Sequence, residues 1–210
     1  MRIVFYTSGI TGAGRLIIGM SIGNALSRYG IKCDYTIVHT SPVAHLANDY
    51  LNIKIPLENE KELSQKNYKN SIIYKTLLKL KPDILIVNHT WFMIYNFIDE
   101  LKCNKIYISD YVYNQHFQVP VSNGVLKFKT GQYDRIISIE PFKTTIPMES
   151  INPIIMRNRD EILSRENAIS RLGLDDSRKI ALYAFSGNSE DEADFMAKYD
   201  DLKNNYQVIR

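Results

Sequence analysis

Short apolar segments alternate with longer segments of helical pattern along most of this chain, and the alternation limits the folds that it can adopt. The clearest apolar segment is DILIVN, residues 83–88, and the chain opens with another at Ile3–Tyr6. Strands that are apolar throughout are typical of parallel sheets, because helices cover both faces of such sheets. The sequence therefore predicts an α/β fold, a Rossmann-like parallel sheet with helices on both faces.

The other predicted elements continue the same alternation. We expect strands at Arg2–Tyr6, Cys33–Val38, Ile53–Ile55, 83–88, Lys105–Ser109 and 133–140, and helices at Arg15–Tyr29, 41–50, Glu60–Leu80 and Trp91–Leu101. Gly30 is suited to end the first helix, because glycine readily adopts the left-handed conformation. Gly19 and Gly23 lie one turn apart on this helix, which favours a close approach to the sheet or to a ligand.

The stretch FYTSGITGAGRLIIG, residues 5–19, joins the first strand to the first helix through a glycine-rich loop. Gly9 and Gly14 have the spacing of a P-loop, but Arg15 and the leucine after it replace the required lysine and hydroxyl. Gly12 and Gly14 begin a dinucleotide-binding pattern whose third glycine is absent. A tight turn without a ligand also explains these glycines. The alternative that we carry forward is an anion site made by the loop amides and the helix start.

Polar and aromatic side chains follow the predicted strands. Ligands of parallel sheets bind beyond the carboxyl ends of the strands, so these side chains mark the expected site. His89, Asp110 and Glu140 each end a strand and are candidate general bases. Tyr111 and Tyr113 are candidate ligand contacts, with half-buried packing as the alternative. For His89 the alternative is a polar group that caps the next turn.

The charge of the chain limits its partners. The net charge is only +3, and no dense run of lysine and arginine occurs, so nucleic acid is not an expected partner. The mild basicity is compatible with an anionic ligand and with peripheral contact with an anionic membrane surface. Arg15 stands where the helix dipole disfavours a cation unless an anion neutralises it. We expect Arg15 to bind an anion, with a salt bridge to a carboxylate as the alternative.

The cellular compartment is predicted from the cysteines and from the apolar runs. Cys33 and Cys103 are the two cysteines, and each lies beside an apolar run, which favours reduced thiols over a disulfide. Met1 leads directly into the first strand without a secretory leader pattern, and no apolar run is long enough to span a bilayer. We therefore expect a cytoplasmic protein.

The sequence pattern changes near residue 153. We predict a Rossmann-like domain at 1–152, a linker with a connecting helix at 153–178, and a truncated start of a second α/β domain at 179–210. The segment IALYAFSGN repeats the opening theme of an apolar strand that enters a loop of small residues. One such piece cannot bury a sheet of its own. We therefore expect a covering partner, either a separate C-terminal-domain chain or a second copy that meets the edge of strand 206–209.

The order of these pieces resembles the N-terminal, acceptor-side half of GT-B glycosyltransferases. The resemblance rests on the first strand with its glycine loop, and on the segments GMSIGNALSRYG, KPDILIVNH and EILSRENAISRLGLDDSRKIALYAFSG. It covers almost the whole chain and is strongest to the group of the bacterial cell-wall lipid N-acetylglucosaminyl transferase and related predicted glycosyltransferases.

This resemblance implies a sugar transfer from a nucleotide-diphosphate donor, such as a UDP-sugar, to a sugar or lipid-linked acceptor. Members of the family need neither a metal nor a cofactor, because helix dipoles and basic groups stabilise the departing diphosphate. By position, the resemblance implies that six residues line the cleft and face the diphosphate: Gly12, Gly14, Arg15, Ser186, Gly187 and Asn188. Many relatives have a histidine where this chain has Arg15. An arginine stays protonated and cannot serve as the base.

Two further interpretations remain at this stage. The chain could be a non-catalytic acceptor-binding subunit, or a remnant that needs a separate donor-binding chain. It could also be a Rossmann-like nucleotide-binding protein unrelated to sugars, which the incomplete glycine fingerprints disfavour.

Overall fold

The computed structural model describes residues 1–9, 13–182, 193, 199 and 202–209. The chain forms two compact units, Met1–Met156 and Arg157–Arg210. The first unit is built on a seven-stranded sheet in which every neighbouring pair is parallel. The predicted α/β fold with a parallel sheet is confirmed.

Six strands of the first unit correspond to the predicted ones, and three further strands were not predicted. The strands are β1 (Arg2–Thr7), β2 (Asp34–His39), β3 (Leu51–Lys54), β4 (Ile84–Asn88), β5 (Asn104–Ser109), β6 (Gln118–Val121), β7 (Gly124–Lys127), β8 (Arg135–Ser138) and β9 (Glu149–Ser150). The three further strands are β6, β7 and β9. The order in the main sheet is β3-β2-β1-β4-β5-β8-β9. Thr7 lies opposite His39 on one side and Asn88 on the other, so the carboxyl ends of β2, β1 and β4 are level.

The first helix of the first unit has the predicted length, and the later helices are shorter than the sequence predicts. The α-helices are α1 (Gly14–Arg28), α2 (Glu60–Leu63) and α3 (Ile72–Leu80). Single-turn 3-10 helices occur at Ala44–Ala47, Tyr68–Asn70, Trp91–Met93, Ile98–Glu100, Asn114–Phe117 and Thr130–Gln132. Gly30 follows α1 with a φ of 65°, as predicted for the residue after a helix.

The single helix predicted at Glu60–Leu80 is wrong, because the segment contains two separate helix starts. Asn59 caps α2 in a capping box with Glu62. Ser71 caps α3 by accepting a hydrogen bond from the Tyr74 N–H. The serine and asparagine residues between the two helices favour caps and turns over a helix interior.

The helices predicted at Trp91–Leu101 and 41–50 are also wrong, since the structure has short 3-10 turns there. The segment after β4 buries its aromatic and aliphatic side chains on several sides, including Trp91, Ile94 and Phe97. An α-helix presents one apolar face to a core, and aromatic and β-branched residues favour it weakly.

Two hydrophobic cores lie on the faces of the main sheet. One contains Val4, Tyr6, Leu85, Trp91 and Tyr107, and it is rich in aromatic contacts. The other contains residues from the opposite faces of the same strands together with α1. The alternation of side chains along each strand explains how one short strand contributes to both cores.

Helix α1 lies unusually close to the sheet, as its two buried glycines predict. A Cβ atom at Gly19 would be 2.7 Å from Cδ1 of Phe5. A Cβ atom at Gly23 would be 2.6 Å from Cε1 of Tyr50. Neither position can hold a larger side chain in this arrangement.

The second unit contains α4 (Arg165–Leu172), ended by Gly173 in the left-handed conformation, and a parallel pair of strands, β10 (Ile180–Leu182) and β11 (Gln207–Ile209). A 3-10 turn precedes α4 at Arg159–Glu161. None of the described residues of this unit is buried. The sequence also predicts a helix at 190–204, but most of this range lies outside the described residues. The start of a second α/β domain and its covering partner stay predictions.

Candidate functional site

A cavity of about 710 Å³ opens at the carboxyl end of the sheet in the first unit. The first turn of α1, the ends of β4 and β5, and the loop after β5 meet there. The residues that line it are Arg15, His89, Asp110, Tyr111, Val112, Tyr113, Gln115 and His116. The structure thus brings five residues of the predicted site to one cavity, and their action on a ligand stays a prediction.

His89 and Asp110 form a pair in the wall of this cavity. His89 is 5% exposed and follows β4, while Asp110 follows the neighbouring strand β5. The imidazole Nε2 of His89 contacts Oδ1 of Asp110. A neutral imidazole that donates its Nε2–H to a carboxylate keeps Nδ1 as its basic nitrogen. The arrangement matches the pairing in which a carboxylate orients a histidine base.

The environment shifts both pKa values of the pair. Burial, and then the charge of Arg15, lower the pKa of His89 to about 3. Burial, and then repulsion by Glu140, raise the pKa of Asp110. At neutral pH the imidazole is therefore uncharged, and it is a weaker base than an ordinary histidine.

The backbone of His89 adopts a left-handed conformation in a tight turn. Its φ is 60°, and the Thr90 N–H donates to the Asn88 carbonyl oxygen at 2.7 Å. A γ-turn with a positive φ is rare and strained, and for a residue other than glycine such strain costs on the order of 1–3 kcal/mol. The buried Asn88 side chain accepts from the Thr7 hydroxyl at 3.2 Å and donates to the Ile108 carbonyl at 3.3 Å. Strain that is held in place at the wall of a cavity supports a functional role for His89.

Arg15 provides the positive charge of the site. Its Nη1 donates to the carbonyl oxygen of Ser8 at 2.5 Å. Within the described part of the chain it forms no ion pair with a carboxylate, so the predicted salt-bridge alternative is not observed there. The guanidinium charge nevertheless affects the pKa values of His89, Asp110 and His116, which places it near all three.

The amides of Ser8 and Gly9, at the start of the glycine loop, are less available than the sequence suggests. The Ser8 N–H donates to Oγ1 of Thr90 at 3.1 Å, and the Gly9 N–H donates to Oγ1 of Thr40 at 2.8 Å. The Ser8 and Thr40 hydroxyls also lie within hydrogen-bond distance of each other, at 3.1 Å. Side chains of the protein thus occupy the positions that an anion would need at Ser8 and Gly9. The start of α1, with Gly14 exposed, is the remaining described place for an anion.

Aromatic rings form the open side of the site. Tyr111 and Tyr113 are 56% and 69% exposed, and their ring centroids are 5.3 Å apart in an edge-to-face arrangement. The Phe142 ring packs against the Tyr111 ring, with their centroids 5.6 Å apart. Glu140 is exposed and does not line the cavity, and its Oε2 accepts from the Tyr111 N–H at 3.2 Å. Its position suits a support for the tyrosine loop better than a base.

Four predicted site residues lie outside the described part of the chain, namely Gly12, Ser186, Gly187 and Asn188. Three further residues lie at this end of the sheet. Thr40 and Thr90 close the first loop, and His116 lines the cavity. The threonines follow strands that are neighbours of β1, and only knowledge of the strand order would have pointed to them.

The described residues lack a characteristic feature of each of two other classes of protein, metal-binding and membrane-spanning. No cluster of three or more histidine, cysteine or acidic side chains suited to a metal ion occurs among them. None of the described helices combines the length and the apolar character needed to cross a bilayer.

Comparison with known proteins finds distant similarity in solved structures. MurG of Acinetobacter baumannii aligns with a TM-score of 0.46 and 13% identity, over 100% of this chain and 67% of MurG. The ADP-heptose LPS heptosyltransferase II of E. coli aligns with a TM-score of 0.40 and 12% identity, over 99% of this chain and 63% of that protein. The chain thus spans about two thirds of the length of each. No family model and no curated protein matches the sequence. Similarity this distant concerns the arrangement of the chain and not the side chains of the site.

Proposed function

We propose that this chain is a glycosyltransferase, or the acceptor-side part of one, that transfers a sugar from a nucleotide-diphosphate donor to a hydroxyl acceptor without a metal. The observation that carries the proposal is the cavity in which the His89–Asp110 pair, the Arg15 guanidinium and two exposed tyrosines meet. These groups match the three requirements of the reaction: a base for the hydroxyl, a cation for the diphosphate and a platform for the sugar ring.

In the proposed reaction, the acceptor oxygen attacks the anomeric carbon of the donor sugar. The new C–O bond forms while the bond from that carbon to the diphosphate oxygen breaks, and the diphosphate leaves with the electron pair. The hydroxyl proton passes to His89, and Asp110 stabilises the resulting imidazolium. Arg15 and the start of α1 meet the charge that develops on the leaving group.

Binding of the donor strengthens the base in this scheme. The charge of Arg15 is one of the causes that lower the pKa of His89. A diphosphate beside Arg15 offsets this charge, so the pKa of His89 rises toward its ordinary value when the donor is bound. Burial, the largest cause of the lowered pKa, remains, so His89 is a stronger base in the loaded site than in the empty one but stays below an ordinary histidine.

In the proposed reaction the tyrosines bind the acceptor. Sugar rings have an apolar face that packs on aromatic side chains, and Tyr111 and Tyr113 present exposed rings beside the base. The neighbouring Gln115 offers an amide for sugar hydroxyls.

The test is a titration followed by a transfer assay. The chain is titrated with UDP-, ADP- and GDP-sugars in the presence of EDTA, and it is then incubated with each bound donor and a panel of sugar acceptors. We expect a calorimetric signal with one nucleotide class and release of the nucleoside diphosphate in EDTA. Acceptor binding without donor binding would instead favour the non-catalytic subunit. The absence of heat and of a melting shift with every donor and acceptor would overturn the proposal.

A further inference from the structure

His116 lines the cavity, but its Nε2 atom faces the backbone of His89. This nitrogen lies 3.0 Å from the His89 carbonyl oxygen and 3.1 Å from the Tyr107 hydroxyl. A carbonyl oxygen only accepts hydrogen bonds, so His116 carries a proton on Nε2 and donates it to the carbonyl. The Tyr107 hydroxyl then shares the same donor as a second acceptor.

Neighbouring groups hold the His116 segment in place. The indole Nε1–H of Trp91, a fully buried side chain, donates to the His116 carbonyl oxygen at 3.1 Å. The His116 ring packs against the His89 ring edge to face, with centroids 5.3 Å apart. The next residue, Phe117, is buried in the aromatic core. His116 is therefore a fixed donor rather than a mobile surface side chain.

The His89 carbonyl has two donors. In addition to His116 Nε2–H, the Trp91 N–H donates to it at 2.9 Å. Two donors occupy both lone pairs of the oxygen and fix the plane of the peptide that follows His89. This peptide is part of the left-handed turn, and the direction of the His89 side chain depends on it.

We propose that His116 is a positioning residue for His89: its Nε2–H holds the His89 carbonyl, and the strained turn then directs the imidazole to Asp110. This inference rests on the proposed function only in treating His89 as the base. The contact itself has consequences that can be measured without any sugar transfer.

The experiment follows the side-chain nitrogens of the full chain by long-range ¹H–¹⁵N NMR over a pH titration. The chain has four histidines, so His39 and His45 serve as internal references in the same spectrum. The variant His116→Phe keeps a ring but removes the donor. His116→Gln places an amide nitrogen at a reach similar to Nε2, and His116→Asn has the same amide on a shorter side chain.

We expect wild-type His116 to show the signals of an Nε2-protonated ring. In H116F and H116N the His89 signals change and its titration midpoint rises, while H116Q keeps both close to wild type. If H116F does not fold, the comparison of H116Q with H116N decides. His89 signals that are identical in wild type and H116N, or equally altered in H116Q and H116N, would overturn the inference.

The transfer assay provides an independent readout. We expect H116N to lower kcat by up to about 100-fold with a smaller change in KM, because misplacement of a catalytic group by about 1 Å has an effect of this size. H116Q should recover most of the rate. An unchanged kcat in H116N, measured in a chain that transfers sugar, would also overturn the inference. If no variant and no wild-type chain transfers sugar, the proposed function fails, and the NMR comparison still decides the role of His116.

Discussion

Two neighbouring loops at the same edge of the sheet differ in what they offer to a ligand. The loop after β1 has the glycines that suggest anion binding, yet Thr40 and Thr90 already bond the amides of Ser8 and Gly9. The turn after β4 has no glycine, and it presents His89 to the cavity through a strained backbone. The described amides next to a glycine-rich pattern can thus be bonded by the protein itself, while the proposed base lies in a turn with no glycine.

The largest effect is expected at the turn after β4. Asparagine tolerates the left-handed conformation, so His89→Asn keeps the turn and removes the base. We expect the transfer rate to fall by about 10²- to 10⁴-fold, the usual contribution of a general base. A steady-state assay measures this, with circular dichroism to verify the fold. If the variant retained the wild-type rate, the base would not be His89.

The next largest effect is a pH dependence of stability, which we expect from His89 in the turn after β4. The pKa of His89 is lowered to about 3 in the folded chain from an ordinary value of 6.5, so the unfolded chain binds the extra proton between these values. The free energy of unfolding should therefore fall as pH decreases from 6.5 toward 3, by up to about 1.4 kcal/mol per pH unit.

The contribution of His89 is isolated by comparing urea unfolding of wild type and H89N at several pH values. His39 and His116 also have lowered pKa values and leave a remaining slope in the variant. The raised pKa of Asp110 acts in the opposite direction, because its stabilising effect is lost as pH rises. Parallel curves for wild type and H89N would show that His89 titrates normally.

The loop after β1 should respond in stability rather than in binding. Thr40→Val removes the acceptor of the Gly9 N–H and the donor to the Gly9 carbonyl. Leaving these groups unpaired should lower the free energy of unfolding by about 1–3 kcal/mol. Urea unfolding measures the loss, and Thr130→Val, at an exposed threonine, is the matched control. A loss of nucleotide affinity in T40V would instead indicate that this loop binds the ligand.

The smallest expected effect concerns Arg15, which lies between the two loops. Arg15→Ala should weaken nucleoside diphosphate binding by about 1–2 kcal/mol, or about 5- to 30-fold, because it removes a charge-assisted hydrogen bond. Calorimetric titration measures the affinity. Arg2→Ala is the control, since Arg2 begins β1 at the opposite edge of the sheet and pairs with Asp83. Equal affinities in wild type and R15A would exclude Arg15 from the site.

Much of the fold could be predicted because it depends on local patterns. The apolar segment at 83–88 and the helix closed by Gly30 are encoded by neighbouring residues. The break between α2 and α3 was also present in the sequence, as the caps Asn59 and Ser71, but the apolar spacing of the segment obscured it. The hairpin of β6 and β7 was missed, although the valines of β6 alternate with more exposed residues and residues 122–124, Ser-Asn-Gly, are a turn signal where the two strands meet.

The sequence predicted which residues lie near the site but not how they are arranged. His89 and Asp110 were expected at one edge because each ends a strand. Their direct pairing requires that β4 and β5 be neighbours in the sheet, and the left-handed turn at His89 has no local sequence signal. The closure of the first loop by Thr40 joins residues 31 positions apart, which no local pattern reveals.

The closeness of α1 to the sheet has a consequence for substrate binding. Gly19 rests against the ring of Phe5, and Arg15 lies one helical turn before it. A methyl group at position 19 would push this end of the helix outward. The Arg15 guanidinium would move with it, because Arg15 lies only about 6 Å from Gly19 along the helix axis. A packing change that is remote from any ligand would thus alter affinity for a negatively charged molecule. The glycine at position 19 therefore determines where the positive charge of Arg15 lies.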